Sequence, residues 1–239
     1  MKKGKNIPVE SVLNHNPFQN LPPLKCKNSN QKLLAAAIKN KDVVMCTGPA
    51  GCGKTHVALL QALLLLSKEP DNYDKIVLIK SVTTVKEEAI GFIPGSVEEK
   101  MDPYMFSFTY LIDKIFNKRG KSKDLIGSGL IEVMPLAFIR GVNIERAIII
   151  IDEAQNLTMD LFKTTITRLG EGSKIILLGD IEQIDMARKS NSGFEKLCNL
   201  FNESNIVKIV RFTDEDCVRN PIIPEILKSL KNGDTTIEI

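Results

Sequence analysis

Val43-Val44-Met45-Cys46-Thr47-Gly48-Pro49-Ala50-Gly51-Cys52-Gly53-Lys54-Thr55 runs from a compact apolar segment into a glycine-rich turn, and the apolar stretch Lys54 to Ser67 follows it with helical character. The turn matches GxxxxGK(S/T), and its setting between a buried strand and a helix is the one that this pattern needs. Glycines let the chain wrap so that backbone N–H groups converge on phosphate oxygens, and the helix N-terminus adds its dipole. Within Gly48, Pro49, Ala50, Gly51, Cys52, Gly53, Lys54 and Thr55, the Lys54 ammonium is expected to reach the β- and γ-phosphates and the Thr55 hydroxyl to ligate Mg²⁺. His56 completes the nucleotide-binding stretch; a lone histidine there reads as a packed or solvent-facing side chain and receives no catalytic role.

Beyond that turn, Ile76 to Lys80, Ile131 to Met134, Ile148 to Ile151, Ile175 to Leu178 and Ile206 to Val210 are further strand candidates. The segments between them leave room for crossover helices at about 87–118, 157–170 and 191–203. Gln31 to Ile38 reads as a short helix capped by Ser29 or Asn30, and Pro221 to Lys231 as a closing helix with Gly233 beyond its end. Strands alternating with helices predict an α/β fold with a mainly parallel sheet covered on both faces. The expected organisation is a basic, proline-containing arm over 1–28, one domain over 29–232 and a tail over 233–239.

Two strand ends carry further chemistry. Ile148 to Ile151 is followed by Asp152 and Glu153, a Walker B pattern in which Asp152 holds the Mg²⁺ shell and Glu153 polarises the attacking water. Ile175 to Leu178 is followed by Gly179, Asp180, Ile181, Glu182 and Gln183. A strand inserted between the P-loop strand and the Walker B strand would bring Gln183 or Asp180 beside the γ-phosphate; a turn role is the competing reading.

Composition sets the boundaries. The 239 residues, 43% hydrophobic and 26% charged, suit one globular domain. The longest apolar runs fall far short of the ~20 residues of a membrane span, and the N-terminus lacks the apolar core of a secretory signal. Five cysteines without a CxxC pair argue against a disulfide framework or a zinc site, so a cytoplasmic, reducing location is expected. The net charge is only +3, but cations gather at Lys114, Lys118, Arg119, Lys121 and Lys123, in a stretch read as a loop that is either solvated or in contact with phosphates. Tyr104, Phe106, Phe108, Tyr110 and Phe116 precede it, and read either as core or as a surface on which unpaired bases stack.

Gln31, the GPAGCGKT turn, GFIPG at Gly91 to Gly95, PLAFIRG at Pro135 to Gly141, IIDEAQN at Ile150 to Asn156, TRLGEGSK at Thr167 to Lys174, GDIEQID at Gly179 to Asp185 and DCVRNP at Asp216 to Pro221 together resemble the PhoH family. The resemblance covers roughly residues 28–230. It implies a phosphate-starvation-associated, cytoplasmic ATPase with a RecA-like P-loop NTPase core similar to the first motor domain of superfamily 1 helicases. It also implies ATP and Mg²⁺ as cofactors and single-stranded nucleic acid, RNA favoured over DNA, as partner. Carried over, Gln31 contacts adenine, Lys54 and Thr55 the phosphates and metal, Asp152 and Glu153 the metal and water, and Gln183 the γ-phosphate. The chain departs from the family at Lys80-Ser81-Val82, where an Arg-Pro step is usual. Its arm is too short for the N-terminal ribonuclease domain of one family branch, so nuclease activity by that route is not expected.

A lone motor half lacks the second domain that supplies a transition-state arginine in such helicases. A homo-oligomer is therefore expected, a hexamer on the family's pattern, in which a neighbour completes the site. Arg168 is the leading finger candidate and Arg219 the alternate, with a surface ion pair as the competing reading for each. The expected function is ATP hydrolysis coupled to single-strand binding, translocation or unwinding. The alternative is a nucleotide-switched assembly or regulatory protein without translocation. A small-molecule kinase is disfavoured by Glu153 and by the lack of an Arg-rich lid.

Overall fold

In the computed structural model, residues 16–81, 97–183 and 192–218 are described. The elements run α1 (Ser29–Asn40), β1 (Val43–Thr47), α2 (Lys54–Lys68), β2 (Lys75–Lys80), α3 (Val97–Phe116), α4 (Lys121–Gly127), β3 (Ile131–Pro135), β4 (Ala147–Asp152), α5 (Met159–Ile166), β5 (Lys174–Gly179), α6 (Gly193–Leu200) and β6 (Val207–Arg211). The six strands form one sheet in the order β3-β2-β4-β5-β1-β6, and every pairing is parallel. The α/β prediction holds, and β5 lies between β1 and β4 as expected.

The inner strands β1, β2, β4 and β5 read as apolar runs because both of their faces are covered, whereas the outermost strands β3 and β6 carry Glu132 and Lys208. In β4, Ile148 and Ile150 enter the core shared with α1, α2 and α3, while Ile149 and Ile151 enter the one shared with α5 and α6. All strands point the same way, so the turns after β1, β4, β5 and β6 gather at one edge of the sheet. That edge is where open α/β sheets bind ligands.

Several details depart from the sequence reading. The cap of α1 is Asn28, whose Oδ1 accepts from the Gln31 N–H at 2.8 Å; Ser29 is already helical. β6 starts at Val207, paired with Val43, and Ile206 stands 74% exposed, because a shift of one residue reverses the faces. Over residues 16–28 the expected arm is laid onto the domain, with Phe18, Leu21 and Leu24 packed against the core. The basic stretch is only partly a loop. Lys114 lies in the last turn of α3 and α4 begins at Lys121, whose side chain is buried with its Nζ 5.2 Å from the Phe116 ring centre. The aromatic cluster divides: Phe108 and Phe116 are core, whereas Phe106 and Tyr110 are exposed. Residues 87–96 of the first crossover and the helix expected at Pro221 to Lys231 lie outside the described residues.

Candidate nucleotide site

The turn between β1 and α2 is built on glycines for two separate reasons. A Cβ on Gly48 would meet the Phe212 Cβ at 2.5 Å and its carbonyl oxygen at 2.6 Å, so only glycine lets the turn pass β6. Gly53, the residue preceding α2, has φ +81°, a left-handed conformation costly for other residues. Entering α2 from that turn points its first free N–H groups at the cleft. The Lys54 Nζ crosses the turn and donates to the carbonyls of Gly48 at 2.6 Å and Pro49 at 2.9 Å. Cys52 is fully buried behind the loop. The Cys52 carbonyl accepts from the Gln31 side-chain amide at 2.9 Å, and the Gln31 Oε1 accepts from the Lys27 N–H at 2.8 Å. Gln31 thus reaches the cleft, but its amide ties the entering chain to the phosphate loop. The Val218 N–H closes the other side on the Gly51 carbonyl at 3.2 Å.

At the end of β4, the Thr55 hydroxyl lies 3.3 Å from both carboxylate oxygens of Asp152. Burial first, and the adjacent Glu153 carboxylate second, push Asp152 up to about 6. A hydroxyl beside a carboxylate short of counter-charge is a donor set that suits a small, hard divalent cation, which would complete its shell with phosphate oxygens and water. Glu153 has left-handed backbone (φ 57°, ψ 39°), a conformation that costs a non-glycine residue about 1–3 kcal/mol and is held only where its surroundings enforce it.

The Glu153 N–H donates to Asp152 Oδ1 at 3.2 Å and its carbonyl accepts from the Asn156 N–H at 3.0 Å, while its side chain is held by Gln155, to which sequence reasoning assigned no role. Gln155 is buried, its Nε2 donates to Glu153 Oε2 at 2.7 Å, and its Oε1 accepts from the Asp180 N–H at 3.0 Å. The Ser192 hydroxyl donates to its carbonyl at 2.9 Å. One side chain therefore ties the Glu153 carboxylate to the end of β5. Its place inside IIDEAQN was the only signal available. At the end of β5, Asp180 is buried and its carboxyl is raised by desolvation, and Gln183 sits in a short turn over Ile181–Gln183.

These groups share a cleft of about 590 Å³, within the range that holds small ligands. Gln31, Ala50, Gly51, Gly53, Lys54, Thr55, His56, Asp152, Glu153, Asp180 and Gln183 all line it, with Lys25, Lys27 and Lys114 at its rim. Gly48 and Pro49 instead line the neighbouring hollow beside Arg211. Desolvation, then Lys114 and Lys27, hold His56 below the ordinary histidine range. Arg168 is not brought to this cleft. It follows α5 at the opposite edge of the sheet, where its carbonyl accepts from the Ile144 N–H at 2.9 Å. Its Nε is buried without a hydrogen-bond partner, and among the described residues no carboxylate pairs with it. Arg219 lies outside the described residues.

Among the described residues, no helix is long and apolar enough to cross a membrane. The family described as PhoH-like protein matches residues 23–231. The PhoH-like protein of Bacillus subtilis (strain 168) is 34% identical over 208 residues, which make up 86% of this chain and 63% of that relative. Protein PhoH of Escherichia coli (strain K12) is 35% identical over 225 residues, 92% of this chain and 61% of that relative. The chain thus spans about three fifths of the length of these curated relatives. Among solved structures, the large terminase of a thermophilic bacteriophage is similar at a TM-score of 0.49 and 12% identity, covering 84% of this chain and 50% of that one. Pif1 helicase from Candida albicans is similar at 0.39 and 14% identity, covering 87% and 44%. The sequence match over nearly the whole chain, on a parallel sheet whose glycine turn faces the Asp152 carboxylate, places this protein in the PhoH-like family.

Proposed function

We propose that the chain is an ATPase that uses Mg²⁺ and couples hydrolysis to binding of, and movement along, single-stranded nucleic acid, with RNA favoured over DNA. The observation that carries this reading is the convergence of Lys54 and Thr55 from the β1 turn, Asp152 and Glu153 from β4 and Gln183 from β5 on one cleft. Mg²⁺ held by Thr55 and Asp152 would neutralise charge on the β- and γ-phosphates. Lys54 exchanges its two loop carbonyls for phosphate oxygens and so reports occupancy to the turn. Glu153, fixed by Gln155, accepts a proton from the attacking water, and Gln183 contacts the γ-phosphate. Gln31 meets the adenine end while bracing Cys52. With Arg168 on the far edge of the sheet, the arginine that stabilises transition-state charge comes from a neighbour in a homo-oligomer, a hexamer on the family's pattern, with Arg219 as the alternate.

The test is phosphate release from ATP and Mg²⁺ with and without defined RNA and DNA strands and no other acceptor. Turnover stimulated by single strands is expected. No turnover would overturn the ATPase reading, and turnover indifferent to every strand would leave a nucleotide-switched assembly protein in its place.

A further inference from the structure

On α3 the positions that face inward are Phe108, Ile112, Ile115 and Phe116, all buried in the core. Positions 106, 110 and 114 recur every four residues along the other side, so they stand one above another. Phe106 and Tyr110 are 67% and 57% exposed, and their rings lie 6.1 Å apart at an interplanar angle of 23°. Two adjacent large aromatics left in water gain little for the fold, and a contiguous exposed apolar patch marks a contact surface.

The next turn and the following connection supply charge. Lys114, Lys118, Arg119 and Lys123 line the same groove, which has a volume of about 970 Å³. The acidic side chain within it, Asp113, is committed elsewhere: its two oxygens accept from the Gly120 and Ser122 N–H groups, each at 2.7 Å. Those bonds pin the connection and the start of α4, and hold Lys118 and Arg119 at the groove's rim. The Lys118–Asp124 pair, at 3.6 Å with both side chains well exposed, is a weak and readily exchanged contact. Lys121, turned inward onto Phe116, takes no part.

We infer that this α3–α4 groove is the seat for single-stranded nucleic acid, Phe106 and Tyr110 stacking on unpaired bases while Lys118, Arg119 and Lys123 meet the phosphates. This rests on the strand-coupled ATPase reading and locates its strand. Charge complementarity favours a polyanion. The aromatic pair selects one whose flat faces are uncovered, since every base offers a π-face once it is out of a duplex. The groove also adjoins the cleft, because Leu111 and Lys114 of α3 line the nucleotide site. A strand seated here would press on the helix that forms one wall of that site, which gives strand binding a short route to hydrolysis.

The experiment is fluorescence anisotropy of labelled single-stranded RNA and DNA oligonucleotides with the full chain across a salt series. Phe106→Ala with Tyr110→Ala should weaken binding about 5- to 100-fold while leaving the salt slope unchanged. Lys118→Ser, Arg119→Ser and Lys123→Ser together should lower the log–log slope by about 2, with similar losses for all sequences. Melting temperature and strand-free ATP hydrolysis should be unchanged in both variants. The chain has three tyrosines and no tryptophan, so quenching of tyrosine emission on strand binding, lost in Tyr110→Leu, is a direct sign of stacking. If the unaltered chain binds single strands and both variants bind them equally well, the groove is not the seat and the strand-coupled reading survives. Equal dependence on the two rings with a blunt duplex would overturn the single-strand assignment. If the unaltered chain binds neither strand, the coupling itself fails.

Discussion

Two lysines at opposite edges of the sheet make the same bonds and serve different ends. At the edge where the strands finish, the Lys54 Nζ donates to the carbonyls of Gly48 and Pro49, and it is half-buried on the wall of an open cleft. At the edge where the strands begin, the Lys174 Nζ donates to the carbonyls of Ile38, Lys39 and Lys41 at 2.7, 3.5 and 3.4 Å. Lys174 is 3% exposed and lies against the Tyr73 ring, with burial holding its pKa below the usual lysine range. It satisfies orphan carbonyls at the C-terminus of α1, where a cation suits the helix dipole. Lys54 can trade its carbonyls for a ligand's oxygens because solvent and ligand reach it, whereas Lys174 cannot. Accessibility, more than bond count, separates the chemical edge from the structural one.

Arg168 is the most demanding test of that division, since it sits on the structural edge and carries the largest expected effect. If it completes a neighbour's site, Arg168→Ala should lower turnover by ~10³- to 10⁵-fold. Mixing that variant with Glu153→Gln subunits should restore part of the activity, because some interfaces then join an intact finger to an intact base. Steady-state phosphate release on single variants and mixtures checks this, and full activity of a monomer in ultracentrifugation would remove the trans role.

On the chemical edge, Glu153→Gln keeps size and hydrogen bonding but removes the base, so turnover should fall by ~10²- to 10⁴-fold with ATP affinity and melting temperature nearly unchanged. Lys54→Ala should lose ATP affinity instead, read by titration with a fluorescent nucleotide analogue. A large loss of stability in either variant would blur the two edges.

Lys174→Ala should do the reverse. Three helix-end carbonyls lose their donor and a buried stem is deleted, so denaturant unfolding should show a loss of ~2–4 kcal/mol, while the nucleotide affinity of the folded fraction holds. The smallest effect is expected at Gln155. Gln155→Leu keeps bulk but frees Glu153 from its clamp, so kcat should drop about 10-fold with little change in KM, the mark of a positioning residue. Gln155→Glu would set a second carboxylate against Glu153, and should cost more than the Leu variant.

The sheet's inner strands and the glycine turn before α2 were legible in the chain itself, because each is a local pattern: an apolar run marks a strand covered on both faces, and glycines with Lys54 and Thr55 mark the turn within eight residues. Asp152 and Glu153 were legible at a strand end for the same reason. What those residues touch was settled only by folding. The Thr55–Asp152 contact joins positions 97 residues apart, and it exists because parallel pairing puts β5 between β1 and β4 and brings every strand end to one edge. The same long-range packing engaged the Gln31 amide with Lys27 and Cys52, turned Lys121 inward while leaving Phe106 and Tyr110 in water, and set Arg168 on the far edge from its own cleft. A side chain's type is written in the chain, but its direction and its neighbours are fixed only when distant segments pack, and those two properties decide whether a cation, an amide or an aromatic ring supports the fold or meets a ligand.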